Sequence, residues 1–208
     1  MPKHLQKVID HYTPLVSENA PGYRLLDWSS RETQFLRFQM LALELRRQFG
    51  KKPFRLLDVG CGVAELAPYL KSLGFQFEYT GVDITPAMLR EARRRNPDLD
   101  IRELDVFAEQ SPLPAGSFEV TFCSGVFNLR QDNSLDFAQR GLHRLGELAS
   151  TFAMANFLHK RASIQYSACC YFTPEELLPA VVDQFETIVR DSYLENDFSV
   201  LLFPKERT

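Results

Sequence analysis

The chain has 208 residues, 45% of them hydrophobic and 12% aromatic, which suits one compact domain with a full core. A formal charge of -3 and a pI near 5.8 exclude a bulk pull toward nucleic acid or an anionic membrane, so a small-molecule or protein partner is favoured and nucleic acid disfavoured. No apolar run approaches the roughly 18 residues that span a bilayer. The start MPKHLQKVIDHY has polar residues where a signal peptide has its apolar stretch. The four cysteines and four histidines also lack metal-ligand spacing. The expectation is a cytoplasmic protein with reduced thiols and no metal site.

Leu5, Val8, Ile9 and Tyr12 recur at helical spacing and predict an amphipathic helix before the turn at Pro14. A loop rich in Pro, Gly and Asn follows. The pattern S-x-x-E at Ser29 and Glu32 then opens a second helix carrying Phe35, Phe38, Leu41, Ala42 and Leu45, which Gly50 closes.

From Phe54 onward strand-like and helix-like segments alternate as in a parallel sheet with crossover helices. The expected strands are Phe54 to Val59, Phe77 to Val82, Ile101 to Leu104, Phe118 to Cys123 and Ser150 to Phe157. A helix with Val63, Leu66, Ala67, Leu70 and Leu73 on one face follows the first strand and stops at Gly74; Pro68 sits awkwardly in it, because proline is tolerated only near a first turn. Thr85 as N-cap and Pro86 open the next helix, which ends near Asn96-Pro97 with Arg90 and Arg93 to Arg95 toward its negative end. A solvated, dipole-compensating face is the expected role of those arginines. Thr173-Pro174-Glu175-Glu176 forms a capping box for a helix through Leu177, Leu178, Val181 and Val182. Two strands close the chain, Thr187 to Tyr193 and Phe198 to Phe203, and the short link Glu195-Asn196-Asp197 requires them to be antiparallel.

The stretch LLDVGCGVAEL, Leu56 to Leu66, joins the first strand to its helix through Gly60, Cys61 and Gly62. Such a turn puts bare backbone at the carboxyl edge of the sheet, where open α/β folds bind ligands. The dinucleotide fingerprint GxGxxG is broken, because Glu65 takes the last glycine's place and sets a negative charge where a pyrophosphate would lie. Asp58 suits a cationic group. Asp83, ending the second strand, can accept both hydroxyls of a ribose, and Asp105 after the third strand can accept from an adenine amino group. Three acids at three successive strand ends match a ligand with an amine, a ribose and an adenine, and S-adenosylmethionine has all three.

Together LLDVGCGVAEL, YTGVDITPAMLREAR, ELDVF and LPAGSFEVTFCSGVFNL resemble the successive motifs of the class I S-adenosylmethionine-dependent methyltransferases, over most of Leu56 to Leu129. The resemblance implies a Rossmann-like α/β fold with a seven-stranded, mostly parallel sheet whose last strand inserts antiparallel. It implies that Gly60 and Gly62 pack on the methionyl part, with Cys61 between them, that Asp83 holds the ribose, and that Ile84 and Met88 lie near the adenosine. Asp105 and Val106 then meet the adenine edge, and Ser124, after the fourth strand, completes the cofactor set. One departure is Ala64, which stands where many members carry a third glycine; a slight shift of the loop is expected.

DWSSRETQFLRF, SGVFN and NDFSVLLF are similar to a group of small bacterial methyltransferases. In such enzymes segments before the first strand cover the cofactor, so residues 1–50 are expected to form an N-terminal helical cap on a core of residues 51–208. Trp28 and Arg37 are then candidates for the lid and for the methionyl carboxylate; core packing for Trp28 and a surface helix position for Arg37 are the alternatives.

Ser124-Gly125-Val126-Phe127-Asn128 stands where amino-group methyltransferases of DNA carry an Asn/Asp-Pro-Pro-Tyr/Phe motif, which argues against a nucleic-acid base as acceptor. Asn128 and Asn156 can orient an acceptor and His159 can serve as its base, or be a solvated loop histidine. The segment Tyr166, Cys169, Cys170, Tyr171 and Phe172 walls an acceptor pocket or belongs to the core. The expected activity is methyl transfer from S-adenosylmethionine to a small-molecule O-, N- or C-nucleophile, leaving S-adenosylhomocysteine. The rivals are a nucleic-acid or protein methyltransferase and a non-catalytic cofactor-binding partner subunit.

Overall fold

The computed structural model describes residues 3–17 and 20–205; part of the expected loop before the second long helix, residues 18–19, lies outside them. Seven strands are present: β1 (Phe54–Val59), β2 (Phe77–Asp83), β3 (Asp100–Glu103), β4 (Phe118–Ser124), β5 (Ala149–Leu158), β6 (Phe185–Arg190) and β7 (Asp197–Pro204). The sheet order is β3-β2-β1-β4-β5-β7-β6. β1 with β2, β2 with β3, and β4 with β5 pair parallel, whereas β7 runs antiparallel to both β5 and β6. This is the expected Rossmann-like α/β topology with a reversed last strand. Every strand read from the sequence forms; β6 is displaced toward its start, which leaves Tyr193 in the link to β7. The chain packs as two compact units, Met1–Asp105 and Val106–Thr208.

In the first unit α1 (Lys3–Tyr12) is followed by a tight turn at Thr13–Leu15, a single-turn helix α2 (Gly22–Leu25) and the long α3 (Arg31–Phe49). The cap of α3 is Ser30, one residue later than expected. Ser30 is extended, at φ -158°, and its Oγ accepts from Thr33 N at 3.2 Å, while Ser29 Oγ is 3.2 Å from Thr33 Oγ1. α3 buries Phe38, Leu41 and Leu45 and ends at Gly50, whose φ of +60° only glycine adopts readily.

The helix after β1 is shorter than its sequence pattern. α4 spans Leu66–Ser72, so Val63 lies in the loop and Leu73 caps the far end, 42% exposed. Starting at Leu66 puts Pro68 in the first turn, where its missing N–H costs nothing. α5 (Pro86–Arg95) begins after Thr85 as expected, yet the Thr85 side chain makes no cap; Asp83 Oδ1 accepts from Thr85 N instead, at 2.8 Å. The arginines at its end are structural more than solvated. Arg93 donates to Ile101 O, Arg94 and Arg95 both hold Glu91, and Arg95 also reaches Ala20 O at 2.8 Å.

The second unit holds α6 (Ser134–Leu148), for which the sequence reading names no helix, between β4 and β5. Its stripe Ala138, Leu142, Leu145 and Leu148 is fully buried. Gly141 and Gly146 let it approach closely: a Cβ there would lie 2.5 Å from the Phe127 ring and 2.6 Å from the Phe185 ring. Phe157 stacks on Phe127 and on Phe198, with centroids 5.1 and 5.6 Å apart, and meets Phe172 edge-on. α7 (Pro174–Leu177) carries the expected box, with Glu176 Oε2 accepting from Thr173 N at 2.9 Å. It is only one turn long. Pro179 converts the continuation to a tight turn at Leu178–Ala180, so Val181 is buried past its end and Val182 is 40% exposed.

Candidate functional site

In the first unit the glycine turn is tied to the end of β2. Gly60 N and Cys61 N both donate to Val82 O, at 2.8 and 3.0 Å. Gly62 N donates to Asp83 Oδ2 at 2.9 Å, and Thr85 N to the other oxygen. The Asp83 carboxylate is thus fixed by these main-chain amides at the carboxyl edge of the sheet, with the Thr85 hydroxyl and the Ile84 amide also drawing on it. Burial pushes its pKa up, against the pull of Thr85 and Gly62. Gly60, Gly62 and Ala64 have φ of +71°, +54° and +59°. Ala64 therefore adopts the left-handed conformation that a third glycine would have, and the loop keeps that shape at a cost of roughly 1–2 kcal/mol.

Asp58 and Cys61 lie beneath this turn. Asp58 is buried and accepts from Tyr79 OH at 2.7 Å. Desolvation raises its pKa to about 7, Tyr79 opposing and the Asp83 charge adding to the rise. Burial likewise pushes the Cys61 thiol well up, reinforced by Asp83 and Asp58. The three sequence-chosen residues Asp58, Cys61 and Asp83 therefore form one electrostatic cluster. Tyr79, which the sequence reading did not single out, is its fourth member. Its only signal was alternation: it is the buried tyrosine of β2 one turn of pleat before Gly81, where an added Cβ would strike it at 2.8 Å.

The N-terminal segment packs on the glycine turn. A Cβ on Gly62 would lie 2.2 Å from Leu26 Cδ2, and one on Gly22 would lie 2.1 Å from Glu65 Cδ. Leu25, Val63 and Met88 form a buried cluster with Tyr12, Val16, Ala20 and Leu26 around it. Met88 is thereby a core residue under the segment, while Ile84 is half-buried. Arg37 is 2% exposed, which removes the surface-helix alternative; it donates to Thr33 O at 2.7 Å and its guanidinium lies 4.1 Å from the centroid of the half-buried Trp28 ring. Gln34, one turn earlier on α3, was missed. It is 1% exposed and neither of its amide atoms has a hydrogen-bond partner, a costly state that no sequence pattern signals. Asp105 is half-buried just after β3.

In the second unit Val106 is buried, and Ser124, half-buried, closes β4 in register with Asn156 on β5. Asn156 is fully buried. Its Nδ2 donates to Asp197 Oδ2 at 3.1 Å, Asp197 is also held by Tyr193 OH, and Tyr193 OH lies 2.8 Å from Ser199 Oγ. Asn156 Oδ1 has no partner, and neither does the buried Oδ1 of Asn128 in the loop after β4. Two amide oxygens at neighbouring strand ends therefore lack donors, in the two asparagines that the sequence had marked. His159 sits differently. Its Nδ1 accepts from Arg161 N at 3.1 Å and its ring packs edge-on against Phe198. The neutral imidazole must then carry its proton on Nε2, so its single lone pair is already engaged. Burial and Arg161 lower its pKa, which keeps it neutral. Among the described residues no group of three or more His, Cys, Asp and Glu side chains could hold a metal ion.

Residues 56–146 match the family model of a methyltransferase domain. The chain is 36% identical over 117 residues to a demethylmenaquinone methyltransferase of Thermus thermophilus, covering 55% of this chain and 52% of that protein. Over 168 residues it is 29% identical to the Chlorobaculum tepidum protein of the same name, with 79% and 65% covered. It thus spans about half the length of the first of these relatives and about two thirds of the second. Among solved structures, a magnesium protoporphyrin IX methyltransferase from Synechocystis with bound S-adenosylmethionine superposes with a TM-score of 0.69 over 99% of both chains at 14% identity, a likeness of fold. With its motifs in order, its sheet reversed at the last strand and its glycine turn latched to a β2 aspartate, the chain is similar to methyltransferases, and the likeness of sequence centres on residues 56–146, the methyltransferase-domain match.

Proposed function

We propose that the chain transfers a methyl group from S-adenosylmethionine to a small-molecule acceptor and releases S-adenosylhomocysteine. The observation that carries this reading is the Asp83 carboxylate, held at the sheet edge by Gly62 N and Thr85 N, the place where a Rossmann-like site takes the ribose hydroxyls. Gly60 and Gly62 give the methionyl part access to the backbone, Asp105 and Val106 the adenine edge, and Ile84 and Ser124 further contact. Residues 1–50 act as the helical cap, with Leu25 and Leu26 against the turn and Trp28 and Arg37 toward the methionyl carboxylate. Asp58, buried on Tyr79, favours the ligand's ammonium through its field more than through a direct bond.

The bound cofactor supplies an activated methyl group on a sulfonium, so alignment of the acceptor is the protein's main task. Asn128 Oδ1 and Asn156 Oδ1 are the acceptors available for an O–H or N–H of the incoming nucleophile. Asp197 fixes the Asn156 amide so that Oδ1, not Nδ2, is presented. With its lone pair occupied, His159 positions the segment it caps and leaves proton removal to the acceptor's own acidity or to solvent. The names of relatives favour small acceptors, since they include methyltransferases of demethylmenaquinone, trans-aconitate and aklanonic acid. The engagement of Arg93 to Arg95 within the fold speaks against a nucleic-acid groove there. Four free cysteines and the lack of a helix long and apolar enough to cross a membrane among the described residues support a cytoplasmic enzyme.

Titration calorimetry tests the reading. S-adenosylmethionine and S-adenosylhomocysteine should bind and NAD should not, and Asp83→Asn should weaken both by roughly tenfold to a hundredfold, the worth of charged hydrogen bonds to a ribose. NAD binding as tightly as either ligand, or full affinity in a folded Asp83→Asn, overturns the assignment.

A further inference from the structure

Among the described residues of the first unit, three buried side-chain atoms have no hydrogen-bond partner: Gln34 Nε2, Gln34 Oε1 and Glu65 Oε2. We propose that Gln34 and Glu65 together receive the zwitterionic end of an α-amino acid, and that this amino acid is the methionyl part of the cofactor. The inference rests on the methyl-transfer reading and adds to it two residues that tell the intact cofactor from its adenosine-like fragments.

Position comes first. Gln34, Phe38, Leu41 and Leu45 recur at i, i+4, i+7 and i+11 on α3 and all are buried, so the amide stands in an apolar stripe. A methionine there would fill similar space with no strong donor or acceptor to satisfy, so packing alone gives no reason for an amide. Glu65 lies toward the same end. Phe35 and Phe38 of α3 meet Tyr69 of α4, with centroids 5.2 and 5.7 Å away, and farther along both helices Arg46 Nη2 donates to Leu73 O at 3.0 Å. The two helices therefore run side by side in the same sense, which sets Gln34 toward the end of α4 that Glu65 precedes. Gly22 of α2 lies against the Glu65 carboxylate, since a Cβ there would overlap both oxygens. This end of α4 is also the exit of the glycine turn, Gly62 standing three residues before Glu65.

The unpaired atoms select the ligand. A carboxamide presents an acceptor oxygen beside a donor nitrogen, so one side chain can take an ammonium on its oxygen and a neighbouring carboxylate on its N–H. Because both amide atoms are unpaired, this holds whichever way the amide is turned. Glu65 Oε2 supplies the second acceptor and the counter-charge for the ammonium. Asp58 is less suited to a direct bond, since its Oδ2 already accepts from Tyr79 OH at 2.7 Å. A phosphate would meet the Glu65 charge, and a lone amine would leave the Gln34 N–H unpaired. The three atoms are closed to water, so the ligand's end reaches them as the single-turn α2 lifts from Glu65.

Calorimetry on the whole chain compares S-adenosylhomocysteine, which carries the amino-acid end, with methylthioadenosine, which lacks it, and with free methionine. Gln34→Met keeps the volume and removes the amide. It should weaken S-adenosylhomocysteine by about tenfold and leave methylthioadenosine unchanged, while the melting temperature without ligand holds or rises because an unpaired buried amide is gone. Glu65→Gln, at a half-buried position, keeps the shape and removes the charge; it should weaken S-adenosylhomocysteine by a similar factor, again sparing methylthioadenosine. Free methionine should bind the parent far more weakly than either nucleoside. An unchanged ratio of the two nucleoside affinities in either folded variant overturns the inference and leaves the methyl-transfer reading standing. Methionine binding as tightly as S-adenosylhomocysteine, and losing that affinity in Gln34→Met, overturns it in favour of a site for a free amino acid. A parent that binds neither nucleoside sinks the methyl-transfer reading and this inference with it.

Discussion

The strand ends of the two units differ in how their polar groups are satisfied. In the first, Asp58 is paired with Tyr79, and Asp83 with Gly62 N and Thr85 N; each carboxylate has donors from its own unit. In the second, Asn128 and Asn156 each keep a buried amide oxygen without any donor. A buried polar atom left unpaired costs roughly 1–3 kcal/mol, so the strand ends of the second unit carry a cost that those of the first avoid, where the unpaired atoms lie instead on α3 at Gln34 and beside the glycine turn at Glu65. The difference separates two kinds of preorganisation. On the proposed reading, the cofactor's turn is completed by the backbone itself, whereas the acceptor's own donors complete the asparagine side.

The largest expected effect tests the first unit's side of that comparison. Asp58 should release its proton near pH 7 in the folded chain, against an ordinary value of 3.8. The folded state therefore holds the extra proton between about pH 4 and 7, and the stability this gives is full below that window and lost as pH rises through it, by on the order of 4 kcal/mol. Asp58→Asn should flatten this part of the stability profile in denaturant titrations at successive pH values. Identical slopes for the variant and the parent would place the charge of Asp58 in solvent and break the contrast.

A smaller effect tests the second unit. Asn128→Val removes an unpaired oxygen, so the melting temperature should hold or rise, by up to about 1 kcal/mol in stability, while acceptor turnover falls. A clear loss of stability would mean that the oxygen is satisfied without a ligand, and the two units would then be alike. The smallest effect concerns Ala64. Replacing a buried alanine by glycine ordinarily destabilises, through the lost methyl and the freer unfolded chain, by roughly 1–2 kcal/mol in all. At φ of +59° relief of strain offsets this, so Ala64→Gly should leave stability nearly unchanged. A full loss would show that the turn relaxes, as the sequence alone suggested.

Much of the fold was legible because its signals are local. Alternating runs gave all seven strands, and the short link at Glu195 to Asp197 required the antiparallel pair. Boundaries failed where two local signals competed. Ser29 and Ser30 both suit a cap, and it is Ser30 whose Oγ accepts from Thr33 N. The pattern from Val63 reads as helix, but Ala64, the last left-handed residue of the glycine turn, falls inside it, and the helix starts only at Leu66. Of the candidate site, Gly60, Gly62, Asp58 and Asp83 were readable, because the chemistry needs those residue types at fixed offsets from strand ends.

What the sequence determined by itself, then, is the order of elements, the glycine turn and the acids that end the strands, since periodicity and turn chemistry act between near neighbours. What the tertiary structure decided is which polar atoms find partners. Tyr79 reaches Asp58 across 21 residues and Asn156 reaches Asp197 across 41, while Gln34 and the two asparagine oxygens reach nothing. Hydrogen bonds act over a few ångströms and burial removes the water that would otherwise satisfy them, so the outcome belongs to packing and cannot be written in the local pattern.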